Sequence, residues 1–307
     1  MKDWFLSVAS ALGDPGAWRL FRRIFTYALV DEGWHFAIIA LAMWMLLHVL
    51  LKRWLSHRVI AAWPTAADIR REIAYSASTV VVFAGLNVVL MGMFLSKHAE
   101  IYSRPMAHGL VWLMLSLPAL LLWQDFYFYW THRLLHTRWL FQHVHGVHHR
   151  SRNPSPWAAY AFHPAEALNN SIMLLIALAI VPVHEAVLAI FVFHQIIRNT
   201  HGHAAVETMP KGFARHPIWG RFTTTTHHHL HHETARGNYG LWFTWWDRVC
   251  GTERPEYLAR FEATAPSRPA KEEPTLTSAI DHQKAAHLSK PDSPSDSMAV
   301  AATGRKK

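Results

Sequence analysis

The segment His132–His149, HRLLHTRWLFQHVHGVHH, decides how the rest of the chain is interpreted. Its first box places two imidazoles four residues apart, at His132 and His136. Its second box spaces three at i, i+3 and i+4, and a third box later in the chain repeats that spacing. Such spacings put the rings on one face of an α-helix. The three boxes together contain His132, His136, His145, His148, His149, His228, His231 and His232.

Eight imidazoles presented in this way predict a site with more than one metal ion. Neutral imidazole suits Zn, Cu, Fe and Ni, and a structural zinc site closes with four ligands. Eight nitrogens therefore suit two ions. The chain has 24 histidines, so some close pairs arise by chance. Chelating polyhistidine tracts lie in polar low-complexity segments, whereas these boxes are embedded in aromatic, apolar sequence.

Further segments accompany the boxes between Asp125 and Glu253. They read FHPAE at 162–166, GHAAVE at 202–207, TTTTHHHLHH at 223–232 and NYGLWFTWWDRVCGTE at 238–253. Together with the boxes, they resemble the fatty acid hydroxylase/sterol desaturase superfamily of integral-membrane, non-haem di-iron oxygenases. The match covers less than half of the chain. The superfamily often has Asp at the position of His229, to which we assign no role.

The resemblance implies which residues form the metal centre. The eight box histidines would be ligands, with His203 as a ninth. Glu207, one turn later on the same face, would bind a metal or hold a ligand in place. His143 and His227 flank the boxes out of register and are left out. Four further residues are expected to orient the ligands or to support the structure around them: His163, Glu166, Asn199 and Asp247.

The resemblance also implies the chemistry. Two iron ions would use O2 as co-substrate to insert one oxygen into an unactivated C–H bond of a lipid, such as a sterol or a fatty acyl chain. Desaturation uses a similar oxidant, so the boxes alone do not separate hydroxylase from desaturase, although Thr223–Thr226 and Tyr239–Asp247 are more similar to the hydroxylase branch.

Two other classes of function are weighed against oxygenation. A zinc-dependent membrane hydrolase would use water as its nucleophile, but the chain lacks the His-Glu-x-x-His pattern of zinc proteases. A metal transporter would bind its cargo near the bilayer midplane, whereas these boxes are predicted outside the membrane spans.

Three apolar runs predict an all-α, multi-pass membrane bundle with a histidine-rich helical cap. Hydrophobic residues make up 51% of the chain and charged residues only 17%. The runs 33–51, 73–96 and 105–124 contain no Asp, Glu, Lys or Arg, and a spanning helix needs about 20 apolar residues. We expect an apolar tunnel between these helices to deliver the lipid. The single cysteine, Cys250, excludes an internal disulfide.

The positive charges predict the orientation. The loop at 52–72 carries five Lys or Arg, whereas the loop between the second and third runs carries only Lys97 and Arg104. Cytoplasmic loops are enriched in Lys and Arg, so the histidine boxes should face the cytoplasm. Arg19, Arg22 and Arg23 fit this topology poorly.

The net charge of +9 also bears on partners. Basic proteins can bind nucleic acid, but here the charge lies beside membrane spans, and attraction to anionic lipid headgroups or to an acidic electron donor is the simpler account. We expect no nucleic-acid partner. Because the sequence has no flavin or nicotinamide fingerprint, the electron donor should be a separate protein, similar to ferredoxin or cytochrome b5, with its reductase.

These features predict four regions. Residues 1–32 would form an interfacial amphipathic segment, and 33–131 the three membrane helices. Residues 132–261 would form the histidine-box domain, which includes a membrane hairpin at 168–197 that turns near Val181–Glu185 and returns the chain to the same side. Residues 262–307 are expected to be disordered. Asp125 is interpreted as a helix-end charge at the membrane interface rather than as an orienting group.

Overall fold

The computed structural model describes residues 14–265, and this part of the chain is mostly helical. Three long apolar helices have the length and composition to cross a membrane: Pro15–Leu50, Ala66–Leu95 and Gly109–Leu135. The predicted all-α, multi-pass fold class is therefore confirmed. The predictions for residues 1–13 and for the tail from residue 266 lie outside the described residues.

Local sequence signals explain where the long helices begin. Helix α1 (Pro15–Trp44) starts after Asp14, whose carboxylate accepts hydrogen bonds from the backbone amides of Gly16 and Ala17. Helix α3 (Ala66–Leu95) starts with a capping box, in which Thr65 and Asp68 satisfy each other's backbone amides. Such caps replace the hydrogen bonds that the first turn of a helix lacks.

The first membrane helix differs from its prediction. No helix end separates residues 1–32 from the first span, because α1 runs through this boundary to Trp44 and continues as a π-helix to Leu50. The only glycine or proline inside it after Gly16 is Gly33, where an added Cβ would be in ordinary contact with Val80 of α3. The basic residues near the helix start therefore belong to the same helix as the first span.

Two helices form a hairpin after the third span. Helix α6 (Pro164–Ile180) and helix α7 (Glu185–Gly202) are separated by the short strand β2 (Val183–His184), which pairs in parallel with β1 (Ile101–Tyr102). The His184 side chain accepts the Ala186 amide and caps α7. The hairpin returns the chain, so that the start of α6 and the end of α7 both lie beside the histidine boxes.

Short elements complete the described chain. The span α4 (Gly109–Leu135) is followed by 3₁₀ helices that pack against the bundle, and the ring of Tyr160 stacks on Phe36 of α1 at a centroid distance of 4.1 Å. Helix α10 (Tyr257–Thr264) continues past the predicted start of the tail at residue 262. The short helices are α2 (Lys52–Leu55), α5 (Arg138–His143), α8 (Thr225–Thr234), α9 (Trp245–Val249) and α10 (Tyr257–Thr264), with 3₁₀ segments at Ser56–Arg58, His145–Arg150, Pro156–Tyr160 and Trp219–Arg221.

Candidate metal centre

Nine histidines converge in two clusters between the bundle and the short helices. In each cluster the candidate ligand nitrogens all lie within 4.8 Å of one another. All nine side chains are buried except that of His136, which is half-buried. His143 and His227, which are not predicted to be ligands, belong to neither cluster. Cluster A contains His132, His136, His145, His149 and His231, and cluster B contains His148, His203, His228 and His232.

The secondary structure distributes the boxes between the clusters. His132 lies in the last turn of α4, and His136 is its C-cap residue. The second box forms a 3₁₀ helix rather than the predicted α-helical face, so that the adjacent His148 and His149 belong to different clusters. The third box does lie on an α-helix, α8. Each of the last two boxes therefore contributes to both clusters.

Backbone carbonyls fix the orientation of several rings. The Nδ1 atoms of His132, His203 and His231 lie 2.7–2.9 Å from the carbonyl oxygens of Tyr239, Asn199 and Gly237. A carbonyl oxygen only accepts, so each Nδ1 must carry the proton. In neutral imidazole the other nitrogen then has a free lone pair, and in these rings that nitrogen is Nε2, which points into the cluster.

Within each cluster the Nε2 atoms of neighbouring histidines lie close together. Within cluster A, the Nε2 atoms of His149 and His231 are 3.0 Å apart, and in cluster B those of His203 and His228 are also 3.0 Å apart. His231 and His203 hold their protons on Nδ1, so their Nε2 lone pairs point at the neighbouring imidazoles and are available to a metal ion placed between the rings. Around an ion with metal–nitrogen bonds of about 2.1 Å, ligands lie about 3.0 Å apart in an octahedron and about 3.4 Å apart in a tetrahedron. The donor set fits one metal ion in each cluster.

Burial keeps these imidazoles neutral. It lowers the pKa of His149 to about 3, with a further contribution from the neighbouring His132, and it lowers the pKa of His203 to about 4. Burial and the other cluster histidines also hold the pKa values of His145, His148, His228, His231 and His232 well below the usual 6.5. Neutral imidazole is the form that binds metal.

This gives a prediction for pH dependence. Below pH 6.5 the unfolded chain binds protons at these histidines whereas the folded chain does not, so the free energy of unfolding should fall as the pH falls. Each such histidine contributes a slope of up to about 1.4 kcal/mol per pH unit; the window runs from 6.5 down to about 3 for His149 and to about 4 for His203. Loss of bound metal at low pH would lower the free energy of unfolding in the same direction. Thermal unfolding between pH 7.5 and 5.5 measures this, and an unchanged midpoint would contradict it.

Glu166 holds one ring of cluster A. Its Oε1 accepts a hydrogen bond from His145 Nδ1 at 2.8 Å, and both side chains are buried. This is the expected geometry of a carboxylate that orients a metal-binding imidazole. His163, by contrast, caps helix α6 through the Ala165 amide and belongs to neither cluster.

Glu207 differs from its prediction. Helix α7 ends at Gly202, so Glu207 does not lie one helical turn after His203. Its buried carboxylate accepts hydrogen bonds from the backbone and hydroxyl of Thr226 at 2.9 and 2.6 Å. Burial raises its pKa. Glu207 thus holds the first turn of α8, the helix that carries the third box.

Two aspartates hold the loop that follows α8. Asp247 accepts hydrogen bonds from the amides of Tyr239 and Gly240, and the carbonyl of Tyr239 in turn orients His132. Asp125 was interpreted as an interface charge, which is wrong: it is fully buried and accepts hydrogen bonds from the Trp242 and Phe243 amides and the Trp245 indole. It anchors this loop to α4.

The side chain of Asn199 supports cluster B from a different direction. Its Nδ2 donates a hydrogen bond to the Ala159 carbonyl at 2.7 Å, and its backbone carbonyl accepts a hydrogen bond from His203 Nδ1. Asn199 therefore joins the end of α7 to the 3₁₀ segment at Pro156–Tyr160.

Gly237 gives a further prediction. Its φ is +69°, and an added Cβ would overlap the Thr252 carbonyl. Gly237→Ala should lower the free energy of unfolding by more than about 2 kcal/mol, because a steric clash is added to the left-handed strain of about 1 kcal/mol. It should also weaken metal binding about tenfold, because the Gly237 carbonyl orients His231. Gly251 has a similar φ of +65° with open space around it. Gly251→Ala is therefore the matched control, and equal losses in the two variants would contradict the prediction.

A cavity of about 580 Å³ leads to both clusters. Its walls include His132 and His145 of cluster A and His148, His203 and His228 of cluster B. Apolar side chains from the membrane helices and the hairpin line it, among them Phe83, Leu86, Leu174 and Val192. Its volume is in the usual range for small-molecule sites.

Comparison with known protein families shows which family the histidine-box region is related to. Residues 117–252, which include all nine cluster histidines, match the fatty acid hydroxylase family. This segment, which carries the metal centre, belongs to the fatty acid hydroxylase family. No solved structure matches the chain significantly.

Curated proteins that are similar to this chain carry several different names. Rat (Rattus norvegicus) lathosterol oxidase is 29% identical over 65% of this chain and 65% of its own length. A Delta(7)-sterol 5(6)-desaturase of Gibberella zeae is 29% identical over 61% of this chain and 56% of its own length. A very-long-chain aldehyde decarbonylase of Oryza sativa subsp. indica is 32% identical over 43% of this chain and 49% of its own length. The chain thus spans from about half to just under two thirds of the length of these relatives.

Proposed function

We propose that this chain is a membrane-bound di-iron oxygenase that hydroxylates an unactivated C–H bond of a lipid. The observation that carries this proposal is that one apolar cavity between membrane helices reaches histidines of both clusters. A lipid chain in that cavity would place a carbon beside both candidate metal sites.

The donor set supports iron over zinc. Cluster A offers five imidazole nitrogens and cluster B four, whereas catalytic zinc sites use three protein ligands and an open position. Glu166, the carboxylate that contacts cluster A, is engaged by His145. Two bound irons would supply the reductive activation of O2 that the attack on an unactivated C–H bond requires.

The residues of this chain have three tasks in that reaction. The nine histidines would hold the irons, with their rings oriented by carbonyls and by Glu166. The cavity walls would align the lipid with the metal centre. The same apolar walls would exclude water from the reacting atoms.

An electron donor is required, and the structure offers an approach for it. A recess of about 570 Å³ is lined by three arginines, Arg71, Arg150 and Arg152, against one acidic residue, Glu233, and it reaches His149 of cluster A and His232 of cluster B. Positive charge attracts acidic partners and accelerates their association. We propose that this recess faces the cytoplasm and receives an acidic one-electron carrier, similar to ferredoxin or cytochrome b5, which its reductase recharges.

Desaturation is the second candidate reaction, because one relative is a sterol desaturase by name. Mass spectrometry of lipids from a host that expresses the protein under ¹⁸O2 separates the two. Hydroxylation adds one ¹⁸O atom to the product, and desaturation removes two hydrogens without adding oxygen. A product that forms equally well without O2 would contradict both.

A further inference from the structure

The cavity that reaches the clusters has a second polar region, formed by the first two membrane spans. Asp31, Glu32 and His35 of α1 and Asn87 of α3 line the same cavity as the cluster histidines. These four residues lie inside two of the candidate membrane spans. Ionisable side chains at such positions are costly and typically serve binding or transport.

The polar side chains in this region form only some of the hydrogen bonds that they could make. The Tyr160 hydroxyl donates to Glu32 Oε1 at 2.9 Å, and Asn87 lies beside the same carboxyl group. His35 Nδ1 lies 3.5 Å from Asp31 Oδ2, and these side chains remain 35% and 46% exposed.

A second observation in the same cavity also points to a ligand that donates hydrogen bonds. Gln124 lines the cavity and is 8% exposed, and its Oε1 has no hydrogen-bond partner in the described part of the chain. A buried acceptor that stays unpaired is unfavourable. A ligand that fills the cavity with a donor group would remove this cost.

The charge of the cavity walls selects the ligand chemistry. Asp31, Glu32 and Glu166 line the cavity, while no Lys or Arg is found among its described lining residues. A carboxylate or phosphate placed here would find no Lys or Arg side chain to compensate its charge, which disfavours it. A hydroxyl or an ammonium group would instead find acceptors.

We propose that Asp31, Glu32 and Asn87 bind the head group of the lipid substrate, and that this head group is a hydrogen-bond donor, an alcohol or a protonated amine. That the bound lipid is the substrate of the reaction rests on the proposed function. It excludes free fatty acids and phospholipids as the preferred ligands. The apolar wall between the two membrane helices and the hairpin would hold the rest of the lipid.

Binding of three matched probes tests this proposal. Full-length protein in nanodiscs is titrated at pH 7.5 with octadecan-1-ol, octadecylamine and octadecanoate, without reductant, so that no turnover occurs. The alcohol, the amine or both should bind at least about tenfold more tightly than octadecanoate, because only the donor head groups find partners. Preference for the alcohol alone assigns a hydroxyl head group, and preference for the amine alone assigns an ammonium.

Paired variants locate the effect. Glu32→Gln should weaken octadecylamine binding about tenfold, because the attracting charge is lost, and should not weaken octadecanoate binding. Glu185→Gln is the matched control, since Glu185 lies outside the cavity and accepts a hydrogen bond from Ser103. Octadecanoate binding in the wild type that equals or exceeds binding of both other probes would overturn the proposal, as would equal shifts for all probes in both variants.

The two proposals fail separately. Selective binding of donor head groups without any lipid oxidation under O2 and reductant would contradict the oxygenase function alone. Oxidation of carboxylate lipids with no head-group preference in binding would contradict the head-group site alone.

Discussion

Replacing His203 with alanine is expected to remove one of two bound metal ions and to lower lipid oxidation by more than about a hundredfold. Its Nε2 lies 3.0–3.3 Å from the Nε2 atoms of the other three histidines of cluster B, His148, His228 and His232. Loss of a residue that merely orients a metal ligand costs about 10–100-fold, so loss of a ligand should exceed that range. Metal analysis of the purified variant, together with the rate of product formation, measures both effects.

Cluster A supplies the complementary variant. His231→Ala should also leave one ion, because the Nε2 of His231 lies 3.0 Å from that of His149 and 3.2 Å from that of His136. His143→Ala is the control, since His143 is exposed and belongs to neither cluster. Two retained ions and wild-type oxidation in His203→Ala would show that cluster B is not a metal site.

The second large effect is expected at Glu166. Glu166→Ala should weaken metal binding at cluster A about 10–100-fold, because His145 loses the carboxylate that holds its Nδ1 proton and raises its basicity. Glu166→Gln should have a smaller effect, because the amide oxygen still accepts that hydrogen bond. Competition with a chelator measures the affinity. Glu185→Ala is the control, because its carboxylate lies outside the clusters. Equal metal affinity in Glu166→Ala and in this control would refute the role of Glu166.

The sequence predicts which histidines converge, because the spacing of ligands within each box depends only on neighbouring residues. Rings four residues apart share a helical face, and α8 brings His228 and His232 to one cluster in this way. The division of the adjacent His148 and His149 between two clusters was not predictable, because the second box forms a 3₁₀ helix that tertiary contacts determine. Short apolar and polar segments do not distinguish 3₁₀ from α-helix by pattern.

The groups that orient the rings were harder to predict. Tyr239, Gly237 and Asn199 act through backbone carbonyls, which carry no signature in the side-chain sequence. Asn199 is among the residues predicted to orient a ligand, but the contact with His203 is made by its backbone carbonyl and not by its side chain.

Long-range hydrogen bonds account for the errors at the acidic residues. Asp125 resembles an interfacial charge because aromatic residues follow it, but its partners are more than a hundred residues later in the chain. Glu207 was placed on a helix that ends five residues before it, and its partner Thr226 lies in another helix. Neither pairing can be read from local spacing.

The most direct test of the central claim is Mössbauer spectroscopy with metal analysis of protein produced in ⁵⁷Fe medium. Two irons per chain in nitrogen-rich sites, both oxidised by O2 after reduction, are the expected result. Stoichiometric zinc with full activity in the absence of O2, or a single ion per chain, would contradict it.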